Sequence, residues 1–267
     1  MRMLAEPRRA APVDCPYLPD RAFVQDYFFA DGLDEAEFGV LLDAGWRRFG
    51  NFFFRPACPG CRLCIPLRLD AANLAPTRSQ RRVLSRGRDV VMDAVPPNPT
   101  DEAWEVYRAH SEGQFGRRVH RAEFERTFFD QSVPSVQTEY RLDGILIGLG
   151  FLDLAADGAS SVYFSFHPDW AKYSPGTLSV LMESAWIRRK GLRWYYLGYW
   201  VPGCDSMEYK ARFVPHELLD WKTGAWVVPH LHPAVAVDAD AETDAETVDG
   251  TADRTADALE SRNTGGG

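Results

Sequence analysis

With 267 residues, 45% of them apolar and 13% aromatic, the chain can bury a real core in one large domain or two modest ones. No run of 18 apolar residues occurs, and the N-terminal MRMLAEPRRAAPVD lacks the apolar stretch of a signal peptide, so the expected location is the cytoplasm, with no membrane partner. The net charge of −8 comes from residues 234–267, where nine acids oppose two arginines; elsewhere 28 Lys+Arg nearly cancel 29 Asp+Glu, so a polyanionic partner is not excluded.

In chain order, residues 1–14 are expected to be disordered and 15–95 to form a small cysteine-containing domain. Cys58, Cys61 and Cys64 follow one another at two-residue gaps, with Cys15 available as a fourth thiol. In a reducing compartment such spacing suits zinc or an iron–sulfur cluster, with reduced structural or redox thiols and, last, a disulfide as the alternatives. Residues 34–44 read as a helix stopped by Gly45, and 46–55 (WRRFGNFFFR) as strand bent at Gly50-Asn51. Trp46, Arg47 and Arg48 pair an aromatic with two cations, a combination suited to stacking and phosphate contact. Residues 77–88 (TRSQRRVLSRGR) hold five arginines and no acid; on a helix Arg78, Arg81 and Arg82 share one face.

Val95-Pro-Pro-Asn-Pro99 is the clearest punctuation and predicts a domain boundary at 95/96, after which Thr100 caps a helix. Residues 138–142 and 145–154 flank Asp143-Gly144, a hairpin turn pair. Residues 161–167 alternate as a third strand, Pro175-Gly176 opens a helix over 177–190, and 194–199 form the next strand. Hairpin, strand, glycine turn, helix, strand is the order of an acetyltransferase (GNAT-type) core. The expected fold is therefore α+β, a mixed sheet with flanking helices over 96–233 behind the cysteine-containing domain, followed by a disordered acidic tail at 234–267. The turn before the helix, Lys172-Tyr-Ser-Pro-Gly-Thr177, has one glycine and a proline that removes an N–H, a poor cradle for a coenzyme A pyrophosphate, which favours another acyl donor. After the last strand comes a polar run: Cys204, Asp205, Ser206, Glu208, Tyr209, Lys210 and Arg212. Polar clusters at strand ends are where such folds place ligand sites.

Several ordered motifs together carry a resemblance. They are Cys15-Pro-Tyr-Leu18, Gly45-Trp-Arg-Arg-Phe-Gly50, the Cys58-x2-Cys61-x2-Cys64-x-Pro66-x-Arg68 run, Ser79-Gln-Arg-Arg82, Ser161-Val-Tyr163, and Gly198-Tyr199 with Met207-x-Tyr-Lys-Ala-Arg-Phe213-x-Pro215. The chain resembles the arginyl-tRNA–protein transferases, and among them the compact bacterial aspartate/glutamate leucyltransferase branch, from Cys15 to about Leu219. It departs in His167-Pro168, where relatives read Asp-Pro, and in Ser174-Pro-Gly176, where they read Ser-Leu-Gly. The resemblance implies transfer of leucine from leucyl-tRNA to proteins with an N-terminal Asp or Glu, in the N-end rule pathway of degradation, with no cofactor required. On that implication Tyr163, Tyr199 and Tyr209 are the candidate catalytic hydroxyls and Lys210 and Arg212 the readers of the acidic acceptor. Arg47, Arg78, Arg81 and Arg82 would hold tRNA, and Cys15, Cys58, Cys61 and Cys64 any metal or cluster. The alternatives are arginine as the donated residue, a coenzyme A-dependent N-acetyltransferase, and a non-enzymatic RNA-binding module.

Overall fold

The computed structural model describes residues 1–130 and 132–229; the tail predicted as disordered at 234–267 lies outside the described residues. The chain begins with β1 (Arg2–Arg9), β2 (Val13–Asp14), β3 (Ala22–Phe23), β4 (Gln25–Asp31) and α1 (Glu35–Asp43). It continues through β5 (Arg47–Phe49), β6 (Phe52–Pro56), β7 (Ile65–Asp70), α2 (Arg78–Arg86) and β8 (Val91–Val95). The second half runs α3 (Asp101–Phe115), α4 (Arg121–Phe129), β9 (Ser135–Leu142), β10 (Ile145–Ala155), β11 (Gly158–Phe166), α5 (Pro175–Arg189) and β12 (Trp194–Trp200). The last elements are α6 (Asp205–Glu208), a 3-10 turn at Tyr209–Arg212, β13 (His216–Leu219) and β14 (Trp226–Val227).

Local chemistry sets the ends of these elements. Asp34 caps α1 and Thr77 caps α2 through reciprocal boxes with Glu37 and Gln80, and the Thr100 hydroxyl accepts from the Ala103 amide at the start of α3. Asp143 and Gly144 both hold positive φ (51° and 82°), the backbone a two-residue hairpin turn of matching twist requires. β10 (ILIGLGFLDLA) is apolar without alternation because it is covered on both faces. Leu149 and Phe151 meet α3 and α4, while Ile147 and Leu152 meet α5.

Two main sheets result. A four-stranded sheet has the order β1-β4-β6-β5, and an eight-stranded one the order β14-β13-β7-β12-β11-β10-β9-β8. β10 and β11 are antiparallel, α5 crosses over, and β12 returns parallel to β11, which is the acetyltransferase-like core. Two expectations are corrected here. Residues 1–14 are not disordered: β1 pairs antiparallel with β4, where Arg2 meets Asp31 and Arg9 meets Asp26 across the strands. The boundary at 95/96 does not separate two sheets either. β7 lies between β12 and β13, and β8 pairs with β9, so strands from before Val95 complete the large sheet. Prolines 96, 97 and 99 punctuate the chain locally but say nothing about partners more than 100 residues away.

Arg48 and Asp153 join the two sheets. The Arg48 guanidinium holds both Asp153 oxygens and also donates to the Gly50 carbonyl at 2.7 Å and to Ser135 Oγ at 3.0 Å; the two side chains are only 4% and 2% exposed. Every remaining lone pair and N–H in such a buried pair needs a partner, and removing one ion strands the other. Asp153→Ala should therefore lower unfolding stability by about 3–5 kcal/mol, read as a drop in denaturant midpoint at unchanged slope.

Candidate active site

β11 and β12 pair at only three positions: Gly158 with Trp194, Ala159 with Tyr195, and Ser160 with Tyr196. Beyond them β11 continues on β10 and β12 continues on β7, and the two strands part. The register of β12 shifts between Tyr196 and Gly198, and Gly198 sits at φ +83°, a conformation a side chain would strain. Backbone groups facing the gap lose their ladder partners and must be satisfied otherwise. On one lip Arg47 of β5 donates to the Ser161 carbonyl and, at 2.7 Å, to Ser160 Oγ. On the other lip the Lys210 ammonium donates to the Tyr199 carbonyl at 3.1 Å.

The gap is a cavity of about 90 Å³. Its walls are Ser161, Val162 and Tyr163 of β11, Leu197 to Tyr199 of β12, and Gly176, Ser179 and Val180 at the start of α5. Phe49 and Phe54 enter from the small sheet, and Met207, Tyr209 and Lys210 from the polar run. No Asp or Glu is among the lining residues, whereas Arg47, Arg48 and Lys210 are. Arg48 is neutralised by Asp153, and Arg47 and Lys210 are the other cations of the lining. Burial pulls the Arg47 guanidinium below its ordinary pKa, which marks the cation as poorly compensated.

Behind the lining, the Tyr195 hydroxyl donates to Glu183, a fully enclosed carboxyl on α5 that also accepts from Tyr140 and Thr138, each at 2.9 Å. Burial pushes the Glu183 carboxyl up in pKa while the three hydroxyl donors favour its ionised form. Sequence reasoning missed Glu183. The buried face of α5 includes Val180, Glu183, Ser184 and Ile187 at helical spacing, and its polar members hid it.

The two stretches that supply the cavity's residues match known family models. The arginine-tRNA-protein transferase N-terminal family matches residues 13–82, and its C-terminal counterpart matches residues 102–220. The chain belongs to the arginine-tRNA-protein transferase family. An aspartate/glutamate leucyltransferase of Gluconobacter oxydans (strain 621H) is 38% identical over 232 residues, covering 84% of this chain and 95% of that protein. One of Marinobacter nauticus is 35% identical over 223 residues, covering 80% and 92%.

Of the residues singled out from this transferase's sequence, the cavity gathers Tyr163, Tyr199, Tyr209 and Lys210. Tyr199 spends its proton on the Gly45 carbonyl at 3.0 Å, and burial holds its phenol well above the ordinary pKa. Arg47, expected among the tRNA-holding arginines, places its guanidinium between the parted strands and lines the cavity. Arg212 is also relocated. Its side chain is exposed and outside the lining, and its carbonyl accepts from Gln80 of α2. Arg78, Arg81 and Arg82 are exposed on α2, so with Arg212 they form a basic strip beside the site.

The cysteines gather in one apolar cluster with Tyr17, Phe23 and Phe54, all as free thiols. As arranged they do not fit zinc or a cluster: among the described residues no three His, Cys, Asp or Glu side chains stand where they could hold a metal. The Cys58 sulfur exchanges hydrogen bonds with both the amide and the carbonyl of Val24, and burial pushes the Cys58 and Cys64 thiols up, toward the protonated form.

Tyr163 is held from behind by Tyr107, His110 and Phe128, with ring centroids 5.8, 6.3 and 5.1 Å away. His110 is 1% exposed, and its Nδ1 lies 3.2 Å from the Phe166 carbonyl; burial lowers its pKa to about 4. The unfolded chain takes up this proton near pH 6.5, so the stability is complete above that pH and is lost as pH falls toward 4. Denaturant unfolding should show a loss on the order of 3 kcal/mol over that window from this group. His110→Asn should flatten the slope there.

Proposed function

We propose that this chain transfers leucine from leucyl-tRNA to the N-terminal α-amine of proteins that begin with Asp or Glu, marking them for degradation through the N-end rule pathway in the cytoplasm. The observation that carries this reading is the lining of the cavity, which is aromatic, apolar and positive, with no carboxylate. An arginyl group would bring a further cation into a lining that holds Arg47 and Lys210 and no Asp or Glu, whereas a leucyl side chain asks only for apolar contact. The names and full-length coverage of the relatives point the same way.

The aminoacyl ester is already activated, so the enzyme's part is orientation and charge stabilisation, with no cofactor in the transfer. The acceptor amine gives up a proton and attacks the ester carbonyl carbon. The tetrahedral oxyanion then collapses to the new amide, and the ribose oxygen of the tRNA leaves with a proton. Tyr163 and Tyr209 are assigned as hydrogen-bond donors to the oxyanion or the leaving oxygen, and Tyr199, whose proton goes to Gly45, as the wall that carries Lys210. Arg78, Arg81, Arg82 and Arg212 are assigned to tRNA phosphates, where planar guanidinium forks suit phosphate oxygens.

The test charges tRNA with radiolabelled leucine or arginine and offers peptides beginning Asp, Glu or Ala. Leucine should pass to the two acidic peptides alone. Transfer of arginine in its place, or of neither label, would sink the assignment. Arg81→Ala with Arg82→Ala should weaken tRNA binding and flatten its salt dependence by roughly two phosphate contacts.

A further inference from the structure

We propose that Arg47, and not the exposed Arg212, receives the side-chain carboxylate of the acceptor's first residue; the assignment rests on the leucyltransferase reading above. Adjacent arginines on β5 project to opposite faces of the strand, and their surroundings differ in one respect. Arg48 finds its carboxylate inside the protein, in Asp153. Arg47 has no carboxylate within 4 Å among the described residues, and Asp153, whose charge acts on it, is already held by Arg48 on both oxygens. Of the five N–H groups on a guanidinium, two are occupied, by Ser160 Oγ and the Ser161 carbonyl. Those two bonds hold the guanidinium against β11 at the cavity that Arg47 lines, with three N–H groups left for a ligand.

An enclosed cation without an anion is unfavourable in the empty site, and an entering carboxylate removes that penalty as it binds. A carboxylate matches the fork with two parallel bonds, and Lys210 on the opposite lip adds charge of the same sign. A carboxamide presents an NH₂ to the same donors and gains neither the charge nor the second bond. The site therefore selects Asp and Glu over Asn and Gln by loss of a charged pair, the type of contact that discriminates strongly.

The decisive measurement is kcat/KM for leucyl transfer to matched peptides beginning Asp and Asn, for the wild type, Arg47→Gln and Arg47→Lys, with leucyl-tRNA binding followed separately. If the wild type transfers leucine to neither peptide, the leucyltransferase reading itself fails, and this assignment with it. If the wild type prefers Asp, Arg47→Gln should cut the Asp/Asn ratio by about 10- to 100-fold, mainly through KM, while tRNA binding stays within a few-fold. Arg47→Lys, which keeps the charge but loses the fork, should fall between the two. A wild-type Asp/Asn ratio in either folded variant overturns the proposal, as does loss of tRNA binding in proportion to transfer. If Arg47→Gln fails to fold, the ratio in Arg47→Lys decides; if neither folds, Arg47 is structural and the proposal is overturned.

Discussion

Two neighbouring parallel strands that pair for three residues and then separate are the constraint around which this protein is organised. β11 and β12 each have a second, longer pairing, with β10 on one side and β7 on the other, so the sheet survives the break. The cost falls on the backbone groups that line the gap, and cations take the two carbonyls nearest the opening: Arg47 takes Ser161 and Lys210 takes Tyr199. Opening the sheet thus both makes the cavity and pins two positive charges at its lips. Shape and electrostatics of the site have one origin.

The small N-terminal sheet is part of that device. It delivers Arg47 into the gap from β5 and Phe54 from β6, and it is clamped to the large sheet by the enclosed Arg48–Asp153 pair. Gly45, just ahead of β5, allows the close approach: a Cβ there would lie 2.6 Å from the Trp221 ring, and the Gly45 carbonyl receives the Tyr199 hydroxyl. Arg68 of β7 stacks on Trp194 and Trp226 at 3.8 and 4.4 Å and pairs with Glu217 and Asp43, locking β7 among β12, β13 and β14. A strand from the first third of the chain thereby supports one wall of a site whose other walls come mostly from the second half.

The polar interior behind the cavity follows the same economy. Glu183 is enclosed with Tyr140, Tyr195 and Thr138 as its donors, and burial holds Cys58, Cys64 and His110 toward their uncharged forms. Cations line the cavity at Arg47 and Lys210 and stand exposed on α2 at Arg78, Arg81 and Arg82.

Local structure was written plainly in the chain. Thr100 marked a helix start through capping chemistry that acts within four residues, as Asp34 and Thr77 also do in the structure, and Asp143-Gly144 marked a hairpin through φ values glycine and aspartate tolerate. The hairpin–strand–helix–strand order gave the core, and the tyrosines of Ser161-Val-Tyr163, Gly198-Tyr199 and Tyr209 were legible as a group because each lies in a recognisable strand or in the polar run after one. Sequence could not give the roles of identical neighbours. Arg47 and Arg48 look alike in a run of residues, yet one meets Asp153 and the other meets none, a difference fixed by strands more than 100 positions away. The same holds for β1 on β4, for β7 between β12 and β13, and for Glu183 on a helix face whose serines concealed its burial. Propensity, capping and turn chemistry are properties of adjacent residues and so belong to the sequence. Pairing partners, burial and the compensation of a charge are properties of what lies across the fold, and only the tertiary structure decided them.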